Sequence, residues 1–140
     1  FFVISPAQAR FTVQEHVYSV DQLNIAQEAA KESNRPLTFV YSNKDTTCSM
    51  ASAASRDVFR DLKDNSVIVY VEMNDIYNLS STLKKAFKAP ESGKYIPKTV
   101  VVDQDMDEMI CIMPYAGMPR REKLIQQVRA IISSHAQEHN

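Results

Sequence analysis

Hydrophobic and polar positions in the first third of the chain predict a strand, a helix and a second strand. The alternation over residues 11–20 is typical of a half-buried strand. Asp21 is the expected N-cap of a helix that continues to about Lys31. Residues 37–42 are rich in β-branched and aromatic side chains, and they predict a short buried strand.

The middle of the chain predicts a longer helix, a central strand and a short helix. Residues 48–62 place apolar side chains at helical spacing: Ala51, Ala54, Val58, Phe59 and Leu62. The uninterrupted apolar run over residues 67–71 is typical of a strand covered on both faces. Ser80 or Ser81 is the expected N-cap of the short helix that contains Phe87.

The last third of the chain predicts a hairpin and a closing helix. Residues 99–103 and 109–113 flank a short polar turn, which favours an antiparallel pair. Pro119 begins a helix that reaches about Ser134, followed by a frayed tail, and its apolar stripe is Leu124, Ile125, Val128, Ile131 and Ile132. This order of elements predicts an α/β protein, in which a central mixed sheet of four to five strands is flanked by helices on both faces.

Composition agrees with a single domain over residues 10–140 and excludes several classes of function. Of 140 residues, 44% are hydrophobic, which is enough for one core. A net charge of −1 gives no electrostatic footprint for nucleic acid, and no apolar run reaches the length of a membrane span. With only two glycines, the chain lacks a glycine-rich phosphate loop, and no cofactor is predicted.

No metal site is predicted either. The two cysteines and three histidines show no metal-ligand spacing, and the six methionines are interpreted as core filler. Cys48 and Met50 would be a poor pair of copper ligands, because residues two apart on a helix point to different sides.

The first nine residues resemble the end of a secretory signal peptide. Residues 1–4 are apolar, and Ala7 and Ala9 form the small-residue pattern that signal peptidase accepts. We therefore interpret residues 1–9 as the remnant of a signal peptide and expect export to the periplasm, the secretory pathway or the outside of the cell. The alternative is an ordinary apolar N-terminal strand. An exported protein would work where disulfide chemistry is possible.

Cys48 is the candidate reactive residue, because it opens the second predicted helix. A thiol there faces unpaired backbone N–H groups and the positive end of the helix dipole, which both favour the nucleophilic thiolate. Polar neighbours indicate exposure, and Asp45 or Thr46 is the expected helix cap. Position 51, where a dithiol site would hold its second cysteine, is Ala51. The alternative interpretation is an inert, buried cysteine.

Four features together resemble the thioredoxin fold over roughly residues 13–132. Asn34 and Pro36 precede the second strand, Cys48 opens a helix, Ile96 and Pro97 precede the strand at 99–103, and Gly117 follows the final strand. The resemblance implies that the Ile96–Pro97 bond is cis, lies beside the cysteine and presents its backbone to an extended peptide. It makes Cys48 the catalytic residue, with substrate contacts at Thr47, Ser49, Ala51, Tyr95, Ile96 and Pro97.

Departures from the thioredoxin pattern are consistent with each other. Thr47 replaces the usual tryptophan, Ala51 replaces the second cysteine, and the strand at 37–42 lacks the buried carboxylate that assists that cysteine. The single-cysteine C-x-x-A arrangement, with residues 92–97 and 101–103, is similar to the anterior-gradient branch of the protein disulfide isomerase family. A bacterial periplasmic thioredoxin-like protein fits as well.

Two functional hypotheses follow from this pattern. The first is monothiol thiol–disulfide exchange or isomerisation, whose partners are protein or peptide thiols and disulfides and glutathione. The second is a redox-inactive module that binds peptides beside Ile96, with Tyr95, Tyr115 and Met118 as further contacts. Reversible oxidation of Cys48 in redox sensing remains a third. A bridge to Cys111 is not expected, because the thioredoxin resemblance implies that its strand is remote from the helix start.

Overall fold

The computed structural model describes residues 10–138, which form a mixed sheet with helices around it. The strands are β1 (Tyr18–Ser19), β2 (Leu37–Tyr41), β3 (Val67–Val71), β4 (Lys98–Val102) and β5 (Met109–Met113). Their order across the sheet is β1-β3-β2-β4-β5. β1 and β2 pair with β3 in parallel, whereas β4 is antiparallel to both β2 and β5. The predicted signal-peptide remnant lies outside the described residues.

Helices cover both faces of the sheet. They are α1 (Leu23–Ser33), α2 (Ser49–Asp61), α3 (Ser81–Lys88) and α4 (Arg120–Glu138), with short 3-10 turns at Val20–Gln22, Met73–Asn78 and Pro90–Ser92. One face of the sheet packs against α2 and α4 through residues such as Phe59 and Ile125. The other packs against α1 and α3 through residues such as Ala26 and Phe87. The prediction of an α/β protein with a mixed, doubly covered sheet is confirmed.

The strand predicted over residues 11–20 is largely wrong. Only Tyr18 and Ser19 pair with β3. Phe11 and Val17 are nevertheless buried, and the Phe11 ring packs 5.9 Å from that of Phe59 and 6.2 Å from that of Tyr70. The alternating apolar residues therefore belong to an irregular segment that packs on the apolar core. Such a segment can show the same alternation of apolar and polar residues as a half-buried strand.

The start of α1 also differs from its prediction. Asp21 is not a cap but lies inside the 3-10 turn Val20–Gln22. Ser19 precedes that turn, and its backbone N–H donates to Gln22 Oε1 at 3.1 Å. A polar residue three positions after Ser19 completes the capping arrangement. The C-terminal end agrees with the sequence, since Asn34 ends α1 in the left-handed conformation at φ 54°.

The closing helix is longer than its prediction and its apolar stripe is narrower. α4 continues to Glu138, and His135 Nε2 lies 3.6 Å from Glu108 Oε2, just before the start of β5. The tail expected to fray from residue 133 is therefore helical as far as the structure describes it. Ile131 is 41% exposed, so its assignment to the buried stripe was wrong.

Within residues 10–138, none of the helices combines the length and the apolar character that crossing a membrane requires.

Candidate functional site

The strand order brings three distant segments to one end of the sheet. At that end Tyr41 pairs with both Val71 and Lys98, and Thr99 pairs with Met113. The segment after β2, the segment before β4 and the segment after β5 therefore meet there. These carry Cys48, the Ile96–Pro97 pair and Tyr115, respectively, and the Ile96–Pro97 peptide bond is cis.

Cys48 is an exposed, free thiol at the N-terminus of α2. It is itself the N-cap residue, with φ −88° and ψ 110°, and its carbonyl accepts the first helical hydrogen bond from Ser52 N–H at 3.1 Å. The expectation that Asp45 or Thr46 caps the helix was wrong. Thr46 Oγ1 instead accepts a hydrogen bond from the Cys48 N–H at 3.1 Å, which turns the chain into the helix.

Of the two contributions expected to favour the thiolate, hydrogen bonds from backbone N–H groups and the helix dipole, only the second is present among residues 10–138. In the described part of the chain, no first-turn N–H of α2 donates a hydrogen bond to Cys48 Sγ. The field of the helix dipole still favours negative charge at this end.

The loop before Cys48 is fixed by backbone hydrogen bonds. The Lys44 carbonyl accepts a hydrogen bond from Phe11 N–H at 3.1 Å, and the Lys44 N–H donates to the Tyr70 hydroxyl at 2.9 Å. The Tyr70 hydroxyl in turn donates to the Glu72 carboxylate. Burial, followed by this hydrogen bond, raises the pKa of Tyr70 above its ordinary value of 10.0. Tyr70 therefore stays protonated and connects the loop to β3.

A largely apolar groove opens beside the thiol. Its volume is about 440 Å³, and it is lined by Thr46, Cys48, Met50, Ala51, Tyr95, Ile96 and Tyr115. Tyr95 is 72% exposed, and its ring meets that of Tyr115 edge to face, with centroids 6.4 Å apart. The groove can hold one or two large side chains next to the sulfur.

The residues selected from the sequence divide into two groups. Cys48, Ala51, Tyr95 and Ile96 line the groove, and so does Tyr115, the further expected contact. The remaining selected residues do not line it: Thr47 and Ser49 are exposed beside Cys48, Pro97 is buried, and Met118 lines a different cleft.

Sequence reasoning missed Thr46 and Met50 as groove residues. Met50 is 64% exposed, and Met73, Met109 and Met118 are also exposed. The interpretation of the methionines as core filler was therefore wrong for these four. The polar neighbours of Met50 were the available signal for its exposure.

The Ala51 carbonyl is hydrogen-bonded to one member of a neutral polar pair. Ser55 Oγ donates to the Ala51 carbonyl at 2.8 Å, and it lies 2.7 Å from Ser42 Oγ. Both serines are buried. A second thiol at position 51 would therefore lie near hydroxyl groups rather than near a carboxylate.

The chain's other cysteine has a different environment. Cys111 lies on β5, opposite Val101, and is partly buried and also a free thiol. Burial raises its pKa to about 11. At neutral pH the Cys111 thiol is protonated, so Cys48 is the stronger candidate nucleophile.

No protein-family model and no curated protein matches the chain. Among residues 10–138, no three His, Cys, Asp or Glu side chains lie together as a metal ion would require.

Proposed function

We propose that the chain has the thioredoxin fold. The strand order β1-β3-β2-β4-β5 supports this, with antiparallel pairing confined to the β2–β4 and β4–β5 pairs. A cysteine opening the helix after β2 and a proline just before β4 lie where the resemblance requires them.

We propose further that the protein exchanges thiols and disulfides through Cys48 alone. The observation that carries this proposal is an exposed, free thiol on the wall of an apolar groove. Ala51 provides no second sulfur. The protein would therefore form mixed disulfides that it cannot resolve by itself.

The reaction has two balanced steps. The Cys48 thiolate attacks one sulfur of a substrate disulfide, forming a bond to it while the substrate's S–S bond breaks and the other sulfur leaves as a thiolate. An outside thiolate then attacks the mixed disulfide, forming a new disulfide with the substrate sulfur and returning Cys48 as a thiolate. Glutathione or the substrate's own second cysteine can supply that thiol. Cys48 is unchanged after both steps, and an attack by the substrate's own cysteine isomerises its disulfides.

The groove would orient an extended peptide for this attack. Tyr95 and Tyr115 offer aromatic surface to a side chain near the substrate cysteine, and Ile96 offers backbone. Thr47 and Ser49 are the chain neighbours of Cys48, and Pro97, which follows the groove residue Ile96, is buried. Export, as residues 1–9 predict, would place this chemistry in a compartment that permits disulfides.

Alkylation and trapping test this function. Cys48 should react with iodoacetamide at pH 6 faster than glutathione does, whereas Cys111 should stay unmodified until the protein unfolds. With excess peptide disulfide, mass spectrometry should detect one mixed disulfide per molecule. That adduct should persist in Cys111→Ser and be absent from Cys48→Ser. A Cys48 no faster than the free thiol, with no adduct, would refute the proposal.

A second candidate function is peptide binding without thiol chemistry. The absence of an N–H hydrogen bond to Cys48 Sγ in the described part of the chain favours it. Under this alternative, Cys48→Ser would bind peptides as tightly as the unmodified protein does. Its partners, recovered under non-reducing conditions, would be the same and none would be linked through sulfur.

A further inference from the structure

We infer that Arg121 is a positioning residue for the groove, fixing the segment that carries Tyr115 against the helix that carries Cys48. This inference rests on the proposed function, since it assigns a role to Arg121 in binding the peptide that Cys48 attacks. Arg121 is the second residue of α4. Its side chain is largely buried, with the residue only 8% exposed, which is unusual for an arginine.

The Arg121 guanidinium joins three elements. Its Nε and Nη2 donate to Asp57 Oδ2 on α2 at 2.9 and 2.8 Å. Its Nη1 donates to the Ala116 carbonyl, in the segment between β5 and α4, at 3.1 Å. The Arg121 N–H also donates to the Gly117 carbonyl at 2.9 Å. One side chain therefore sets the distance between α2 and the segment 114–119.

These bonds reach the groove through adjacent residues. Ala116 follows Tyr115, which lines the groove, and Asp57 lies on the helix whose first turn also lines it. Arg121, Tyr115 and Pro97 also border one small internal space with no room for a water molecule. A change at Arg121 would remove the hydrogen bonds that hold the segment 114–119 against α2, and we expect Tyr115 to shift relative to Cys48.

Only arginine suits this arrangement. Its planar fork donates to the Asp57 carboxylate and the Ala116 carbonyl at fixed angles, whereas a lysine ammonium would meet them as a single point. Arg60 provides a matched control. It is also paired with Asp57, at 3.2 Å, but its side chain is 63% exposed and bonds otherwise to Asp61.

The experiment compares Arg121→Met, Arg121→Lys and Asp57→Asn with the control Arg60→Met. In a Cys48→Ser background, calorimetry measures binding of a short peptide that carries phenylalanine beside serine. With Cys48 present, the rate of mixed-disulfide formation is measured for hydroxyethyl disulfide and for the peptide with cysteine in place of that serine, oxidised to its disulfide dimer. Circular dichroism checks that each variant is folded.

Arg121→Met should weaken peptide binding and slow the peptide reaction about tenfold, because the misplaced wall no longer orients the peptide. Its rate with hydroxyethyl disulfide, which needs no groove, should change less than twofold. Arg121→Lys and Asp57→Asn should show smaller losses of the same kind, and Arg60→Met none.

Three results would overturn the inference. They are unchanged peptide binding in the Arg121 variants, an equal loss with both disulfides, and loss of the fold in all three test variants. Failure of the Cys48→Ser protein to bind the peptide would overturn it as well. Failure of the proposed function is distinguishable, because unmodified Cys48 would then react with hydroxyethyl disulfide no faster than glutathione, whatever the binding measurements show.

Discussion

Tyr70 shows how a single side chain outside the groove can control the loop that leads to Cys48. Its ring packs in the core beside Phe59, while its hydroxyl accepts the Lys44 N–H and donates to Glu72. Replacement by phenylalanine keeps the ring and removes the hydroxyl. A partly buried N–H and a carboxylate would then each lose a partner.

Tyr70→Phe should lower the free energy of unfolding by about 1–2 kcal/mol at pH 7. It should also weaken the dependence of the free energy of unfolding on pH above about pH 10. The folded-state pKa of Tyr70 is raised, so its contribution is complete below about pH 10, the unfolded value, and is lost as pH rises further. Urea unfolding between pH 7 and 11 measures both effects. Tyr77→Phe is the control, since Tyr77 is 78% exposed. Parallel alkaline profiles for the two variants would contradict this assignment.

Residue-level chemistry could be predicted from the sequence only where it depends on neighbours along the chain. The polar residues around Cys48 correctly predicted its exposure. They did not identify the helix cap, because Asp45, Thr46 and Cys48 can each precede a helix. Which of them is the cap depends on the backbone N–H that donates a hydrogen bond to Thr46 Oγ1. The roles of Tyr70 and Arg121 depend on contacts with Lys44 and Asp57, which are remote in sequence.

At the scale of elements, the start of α3 is a local feature that the sequence predicted. Ser80 is the N-cap, and its Oγ accepts a hydrogen bond from Leu83 N–H at 3.3 Å. Helix α3 buries Leu83 and Phe87 against the sheet, so fraying of its first turn would expose core residues.

Ser80→Ala should therefore cost about 1 kcal/mol in the free energy of unfolding, because an N–H at the helix start loses its acceptor. Ser81→Ala is the matched control. Ser81 is exposed inside the helix, where alanine is the better helix former, so stability should be unchanged or slightly higher. Thermal unfolding of both variants checks this. Equal losses would show that Ser80 does not act as a cap.

Elements with two independent signals were predicted best. β2, β3 and the β4–β5 hairpin combine β-branched residues with polar turns at their ends, and their bounds agree with prediction within one residue. The segment 11–20 had alternation alone, and it forms a strand only at Tyr18–Ser19. Helical spacing likewise could not show that Ile131 is exposed in an open cleft that Met109 also lines.

At the scale of the whole molecule, the site exists because the sheet mixes parallel and antiparallel pairing. That mixture brings the end of β2, the start of β4 and the end of β5 together. The order of elements along the chain did not by itself predict this meeting point, which was expected only from the thioredoxin resemblance. The apolar lining could not be predicted from local patterns, since Met50 and Tyr115 approach each other only in the folded chain. The same geometry makes position 51 a test of the proposed cycle.

If the proposed function is correct, Ala51→Cys should release substrates that the unmodified protein would hold as mixed disulfides. Ala51 and Cys48 line the same groove, so a thiol at position 51 could attack the mixed disulfide within the molecule. The adduct with a peptide disulfide should fall at least about tenfold, and the protein should end with a disulfide between positions 48 and 51, seen by mass as the loss of two hydrogens. Ala53→Cys is the control, because Ala53 lies on the same helix but does not line the groove, so the adduct should persist. If Ala51→Cys accumulates as much adduct as the unmodified protein, position 51 does not reach the sulfur, and the lack of a second cysteine is not what limits the cycle.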